Sequence, residues 1–520
     1  MAPMLPPAPA VAATERRLSP TSLCFNGGLR NFRLPAIAAT GSRRLQTMDK
    51  KLWLAVGLAL AIAGCSTTKD ANGVLQDAQT AMGNVNSIQY SGTGMNAFFG
   101  QALTAGQEWP RRELSSFTRA VNYEQRSGRD ELNFAQPTFG GQQQNAQVNG
   151  DKAWNMGPNG PVPQLAAAEE RQLQIWLTPH GFIKGAIAAG NATLTTPTEG
   201  TNVISFTALD KYKVDGTIDG QNLVTKVETK VPNPVLGDTD LVATYSDYKD
   251  FGGVQFPTKI LVEQGGFPVW DLTVANVTPN APLDVPIPET VQAATVAPVQ
   301  TASTKLADGV WHIMGGSHHS VLVEFNDYLA VAEAPLTEER SLAVLAEAKK
   351  LVPNKPVRYV LTTHHHFDHT GGLRTYVAEG ATVVTHQSNV PFLEKALAAP
   401  ATIAPDTQAK SMKRPTFQGV SEKYVITDGK QTIEVYPTAG DTHTNEYTLI
   451  YLPASKILVE GDAYSPGPAD APPPATPPPN AVALSNEIDR LKLNVTTIAP
   501  IHGRGAVPVT ELRKFVGKKG

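Results

Sequence analysis

Cysteine is almost absent from this chain: two in 520 residues, Cys24 and Cys65, which excludes a disulfide framework as the source of stability. Basic clusters are absent as well. Lys and Arg number 44 against 47 Asp and Glu, for a formal charge of −3, so nothing offers nucleic acid an electrostatic footprint. Internal repeats are lacking. The apolar run at 52–61 is too short to span a bilayer as a helix, which takes about 20 residues. What remains is a chain long enough for two domains with proper cores.

Histidine, by contrast, is concentrated. Thr363-His364-His365-His366-Phe367-Asp368-His369 reads H-x-H-x-D-H. Imidazole nitrogens and a carboxylate suit a borderline-soft divalent cation such as zinc; taken alone, the tract also fits a solvated surface cluster. A strand-like run at 358–363 delivers it, and Gly371-Gly372 opens a helical pattern over 373–379 that Gly380 stops. Three single candidates follow, each after a strand-like run and beside a small residue. They are His443 after 432–436, Asp462 after 456–460 and His502 after 495–499. Ligands at the ends of several strands converge at one sheet edge, where sites of layered α/β folds lie.

On these residues, the stretch 305–520 resembles the metallo-β-lactamase-fold hydrolase superfamily. The resemblance implies an α/β fold, an αββα sandwich. It implies that His364, His366 and His443 bind one metal, that Asp368, His369 and His502 bind a second, and that Asp462 bridges them. In diiron flavoprotein relatives an acid usually stands where this chain has His366, which favours zinc, two ions per chain. Mononuclear iron dioxygenases of the same fold retain these residues, so the ligands alone leave iron open. Antibiotic-hydrolysing relatives carry a cysteine, or no ligand, in place of Asp462; the aspartate resembles the glyoxalase II, lactonase and esterase branches.

The implied chemistry is attack by a metal-bound hydroxide on an ester, thioester or lactone of a small-molecule substrate, between metals about 3.5–4 Å apart. Asp368 is the candidate catalytic residue, orienting the nucleophile and shuttling its proton. Tyr464 is either an oxyanion donor or an ordinary packed tyrosine. β-Lactam hydrolysis and iron-dependent sulfur oxidation are alternatives on the same fold. A non-catalytic envelope lipoprotein that binds a hydrophobic ligand is the alternative of a different class. Fold analogy does not choose among substrates.

Other residues carry secondary expectations. His318 and His319, in a Gly-Gly-Ser-His-His-Ser loop between strand-like 310–314 and 321–325, are candidates for substrate contact or a solvated hairpin tip. His365 is expected to point away from the metals by strand alternation. His386 reads as structural, Glu333 as a residue behind the ligands, and His180 and His312 have no assigned partner. Thr337 caps a helix opening with Glu338-Glu339 and closing near Lys349-Lys350, with Leu342, Leu345, Ala348 and Val352 as its apolar face. A second helix is expected at 484–493. The proline-rich run 465–479 either skirts the site or forms a loose surface loop.

The N-terminal part sets the address. Residues 48–64 combine a short basic start, an apolar stretch and Ile62-Ala63-Gly64 before Cys65. This resembles a bacterial lipoprotein signal, which implies cleavage and lipidation at Cys65, loss of Cys24, and an outer-membrane anchor facing the periplasm. Residues 1–47 superficially resemble a transit peptide but read as an overcalled or disordered extension. Residues 65–290 are β-rich, with turn signals at Asp219-Gly220 and Gly252-Gly253 and a helical stretch at 165–177. They loosely resemble half-open-barrel lipoprotein carriers. A Thr/Ala/Val/Pro/Gln linker at 291–304 separates them from 305–520. No motif speaks to oligomeric state.

Overall fold

Alternation of apolar side chains explains the layering of the C-terminal half. In the strand Leu329–Ala332, Ala330 and Ala332 enter one apolar cluster while Leu329 and Val331 enter another. In Thr448–Leu452, Ile450 and Leu452 oppose Leu449 and Tyr451 in the same way. Strands that are apolar on both faces must be covered on both.

The computed structural model describes residues 69–137, 141–198, 200–440 and 443–518; the expected extension, signal and Cys65 lie outside the described residues. A seven-stranded sheet runs in the order Ala302–Ala307, Val310–Met314, Ser320–Glu324, Leu329–Ala332, Val357–Leu361, Thr382–His386, Thr416–Val420. Its first four strands are antiparallel and the rest parallel. A six-stranded sheet follows, from Tyr424–Thr427 through Thr432–Pro437, Thr448–Leu452, Ile457–Glu460 and Thr497–Pro500 to Val507–Pro508. One core lies between the two sheets. Helices Glu338–Leu351, Leu373–Glu379 and Val390–Ala398 cover the outer face of the first, and Pro479–Arg490 and Val509–Phe515 cover the second. The result is an αββα sandwich.

Details differ from the sequence reading. Thr337 does cap Glu338–Leu351, its Oγ1 accepting from Arg340 N at 3.4 Å. Its buried face, however, is Ser341, Val344, Leu345 and Ala348, and Leu342 is 42% exposed. Positions 341, 344, 345 and 348 share one face at helical spacing, and 342 falls about 100° round from 341. The helix expected at 484–493 spans Pro479–Arg490, because a proline is well placed in a first helical turn. Within 291–304, Val291 packs beside Trp154, and a strand begins at Ala302.

Residues 87–279 form a thirteen-stranded antiparallel sheet. Two meanders build it, joined where Ser87–Ala97 pairs with Phe267–Pro279. Gly252 and Gly253, at φ +68° and +87°, occupy the left-handed region that one expected hairpin turn demands. Helices Ala71–Met82, Ala168–Trp176 and Pro179–Ala189 share its core. The stretch expected as one helix at 165–177 is followed by a second, because Thr178 caps Pro179–Ala189 by accepting from Gly181 N at 3.2 Å. Among the described residues no helix is long and apolar enough to cross a membrane.

Among the described residues, the β-rich half touches the sandwich near Asp238 and near Phe99. The Asp238 carboxylate accepts from Thr402 N and Oγ1 at 2.7 and 2.6 Å and from Ile403 N at 3.2 Å. Elsewhere, Phe99 and Trp109 pack edge-on to Phe367, with ring centroids 5.5 and 6.3 Å apart.

Inside the sandwich, the turn at 333–337 is laced to the histidine motif. Leu336 N donates to Asp368 O at 2.9 Å and Gly372 N to Ala334 O at 2.8 Å. A Cβ on Gly371 would sit 1.9 Å from Leu336 O, so any side chain must push two backbone segments apart. Gly371→Ala is expected to cost about 1–3 kcal/mol, the usual scale of overpacking, read as a lower denaturation midpoint. An unchanged midpoint would show that the two segments are not in this contact.

Candidate metal centre

Each site residue sits just past the end of a strand. Val357–Leu361 ends two residues before Thr363; His364 and His366 follow, and the short helix Phe367–Thr370 turns Asp368 and His369 toward them. Thr448 N donates to Thr363 O at 2.7 Å, tying the motif to the second sheet. His443, Asp462 and His502 follow Thr432–Pro437, Ile457–Glu460 and Thr497–Pro500. All these loops open at the same end of the two facing sheets.

Two donor groups result. One is His364, His366, His443 and Asp462; the other is His318, Asp368, His369 and His502. Within each, the ligand atoms lie within 4.8 Å of one another. Asp462 faces both: Oδ2 is 3.0 Å from His443 Nε2, and Oδ1 is 2.7 Å from His369 Nε2 and 3.0 Å from His502 Nε2. Ring nitrogens crowd together, with His366 Nδ1 3.1 Å from His443 Nε2 and His369 Nε2 3.3 Å from His502 Nε2. His364 Nε2 is buried and makes no hydrogen bond. A buried ring nitrogen without a partner is costly, and a set of imidazoles and carboxylates at this spacing fits a pair of divalent cations.

The opposite nitrogens are fixed from behind, which sets which atom of each ring faces inward. His364 Nδ1 meets Thr363 Oγ1 at 3.0 Å, and His369 Nδ1 meets Glu333 Oε2 at 2.7 Å. Glu333 is fully buried, sits at φ +71°, and accepts from Thr363 N at 2.5 Å. His366 Nε2 donates to Ala102 O at 3.0 Å, and Asn480 Nδ2 lies 3.5 Å from His443 Nδ1. Asp368 accepts from Gln101 Nε2 on Oδ1 at 2.8 Å and faces His318 Nε2 with Oδ2 at 3.2 Å.

Protonation follows this layout. Burial, reinforced by His369 and its neighbours, holds His364 well below the usual imidazole range, and burial pushes His366 down to about 3. His369 is the opposite case. Burial opposes its charge, yet the Asp462 and Glu333 carboxylates hold it well above its ordinary value. Burial would raise Asp368 and Asp462. The hydrogen bond from His318 and the charge of His369 keep Asp368 low, and the charge and hydrogen bond of His369 with bonds from His443 and His502 keep Asp462 low.

The remaining expectations divide. His318 stands among the ligand atoms of the second donor group, closer in than a residue at the mouth. His319 is a correction: it is 4% exposed, its Nε2 meets Gly503 O at 2.9 Å and its Nδ1 accepts from Gly315 N at 3.4 Å, which leaves no ring nitrogen for a substrate. Tyr464 is likewise buried, against Phe515 with ring centroids 5.1 Å apart. His365 stays outside both donor groups, donating to Ala102 O at 2.9 Å; the strand has ended by then, so a turn and not strand alternation directs it. His386 caps a turn by accepting from Ser388 N. His180 and His312 meet the Met82 and Pro500 carbonyls. The proline-rich run touches the site at its start, where Pro466 O and Gly467 O accept from Arg504 N and Nε at 3.4 and 2.7 Å beside His502. Gln101 and Ala102 escaped sequence reasoning, being a polar loop residue and a backbone carbonyl more than 260 positions from the motif.

Comparison with known proteins finds likeness in the same part of the chain. Residues 313–502 match the family described as Metallo-beta-lactamase superfamily. A curated relative, the 2,4-dinitroanisole O-demethylase subunit alpha of Nocardioides sp. (strain JS1661), is 23% identical over 159 residues. That match covers 31% of this chain and 45% of the relative, so this chain spans less than half of that protein's length. Among solved structures, a metallo-beta-lactamase from Pontibacter korlensis shares 20% identity at a TM-score of 0.33, covering 42% of this chain and 98% of its own. DIM-1 metallo-beta-lactamase shares 16% identity at a TM-score of 0.33, covering 42% and 97%. The residues matched to that family, 313–502, contain both donor groups.

Proposed function

We propose that this protein is a zinc-dependent hydrolase that uses two metal ions to cleave an ester, thioester or lactone. The observation that carries the reading is Asp462, one carboxylate whose two oxygens face the two donor groups. An aspartate there, in place of a thiolate, is the resemblance to the glyoxalase II and lactonase branches. His364, His366 and His443 would hold one ion and Asp368, His369 and His502, with His318 beside them, the other. The chemistry such a pair supplies when bound is Lewis acidity, which polarises a carbonyl oxygen and makes water a stronger acid.

The chain's own groups do the rest. Asp368 is held between Gln101 and His318 with a free lone pair toward the donor group, so it can orient water and accept its proton. His318 lies within hydrogen-bond reach of that carboxylate and steadies its Oδ2. Glu333 keeps the His369 ring from rotating. Export and lipidation at Cys65 belong to the same proposal, supported by the signal-like sequence at 48–65, and place the enzyme at the bacterial envelope. The curated relative's name includes an O-demethylase acting on 2,4-dinitroanisole, so an activated aryl ether belongs in any substrate panel.

The test is turnover by the zinc-loaded chain from Ser66 onward. Thioester, lactone, phenyl ester, chromogenic cephalosporin and 2,4-dinitroanisole are the substrates. One of the first three is expected to turn over, with Asp368→Ala lowering kcat by about 10²–10⁴-fold, the usual weight of a positioned acid or base. Turnover of the cephalosporin or the ether alone would replace the substrate class; activity surviving in Asp368→Ala would remove that residue's role.

Proton release gives a second test. Without metal, His369 carries a proton on the Nε2 that faces the donor group, while His364 and His366 are already neutral. Metal and proton compete for that atom, so binding near neutral pH releases the His369 proton. Affinity then rises with pH as long as His369 holds that proton in the metal-free chain. Titration calorimetry in buffers of different ionisation enthalpy counts the protons, and a count of zero near neutrality would overturn this assignment.

A further inference from the structure

The loop 98–109, which joins strands Ser87–Ala97 and Arg111–Asn122 of the β-rich half, reaches into the metal centre of the other half. Its own shape is set by backbone bonds: Phe98 N to Pro110 O at 2.7 Å, Gln101 N to Phe98 O at 3.1 Å and Gln107 N to Thr104 O at 3.1 Å. Its contacts with the sandwich come residue after residue. Gly100 O accepts from Phe367 N at 3.2 Å, and Leu103 O accepts from Asn445 N at 2.9 Å. Thr104 Oγ1 accepts from Asn445 Nδ2 at 2.7 Å. Gly100 lies at φ +79° with the Phe367 ring 2.7 Å from where a Cβ would stand, so only glycine admits this approach.

Two of these contacts act on the donor groups. Ala102 O can only accept, so the His366 ring must carry its proton on Nε2, and Nδ1 is left to face His443. The Gln101 carboxamide donates to Asp368 Oδ1 and leaves Oδ2 toward His318 and the second donor group. Without that bond the Asp368 carboxylate is held by His318 alone, on Oδ2. Outer partners of this kind set metal affinity by orienting the ligand.

We propose that the loop 98–109 is a built part of the metal centre and that Gln101 is a positioning residue for the Asp368 carboxylate. This rests on the two-metal reading above. Its consequence is that the β-rich half is required for the chemistry of the other half, through a side chain that touches neither substrate nor metal.

Equilibrium titration of the metal-free chain with cobalt(II), followed by visible absorption, separates the possibilities. Gln101→Met keeps the side-chain length and removes the donor; Gln101→Ala removes both. Leu103→Ala, whose side chain is 57% exposed on the same loop, controls for disturbance of the loop. The wild type is expected to take up two equivalents. In both Gln101 variants one equivalent is expected to bind about tenfold or more weakly, with an altered visible band, while the other binds as before and Leu103→Ala matches the wild type. Titrations identical to wild type in both Gln101 variants overturn the proposal. Equal weakening of both equivalents overturns it as well, since that marks general loosening. Failure of the wild type to bind cobalt(II) is a separate result, which sinks the two-metal reading and this inference with it.

Discussion

The concentration of imidazoles and carboxylates at one end of the αββα sandwich constrains everything around it. Five chain segments, at 318, 364–369, 443, 462 and 502, bring eight such groups together as two sets of four, the ligand atoms of each set within 4.8 Å of one another. Buried charge of this density is tolerated only when each group is paired and held. The pairing is visible on every side: Thr363 and Glu333 behind His364 and His369, Ala102 behind His366, Gln101 behind Asp368. Both sheets are apolar on both faces and cannot host the cluster, so it occupies their open end, where loops leave the strands.

Glu333 shows how this requirement reaches into the backbone. The residue is fully buried at φ +71°, a conformation that costs a non-glycine residue about 1–3 kcal/mol. That geometry lets one carboxylate accept from Thr363 N and from His369 Nδ1 together. The same turn is laced to Asp368 O and Gly372 N. Strain at one position is therefore offset by contacts that fix three segments at once, and the ring that faces both Asp462 and His502 inherits its orientation from them.

Much of this was legible in the sequence, for a simple reason. Side chains able to bind such a cation come from a short menu of His, Asp, Glu and Cys, and the H-x-H-x-D-H spacing with His443, Asp462 and His502 beyond it survives as a linear pattern. Strand alternation and the Thr337 cap are local rules, and the sandwich follows from them. What escaped depends on distance. His318 and His319 are adjacent and chemically alike; only the turn of the chain sends one into the donor group and the other against Gly503 O. Tyr464 stands two residues from Asp462 yet its ring packs on Phe515. Ala102 contributes a carbonyl, which every residue has, so no sequence pattern can mark it.

The loop 98–109 changes what the two halves are to each other. A domain that only carries its neighbour needs no contact with that neighbour's ligands, yet here a carbonyl and a carboxamide of the β-rich half bind the motif's own histidines and aspartate. The second contact, Asp238 at Thr402 and Ile403, ties the hairpin at 233–238 to the sandwich as well, so the loop is held against the site at more than one point. Linkage then runs both ways. If docking of the loop strengthens metal binding by some factor, metal binding strengthens docking by the same factor.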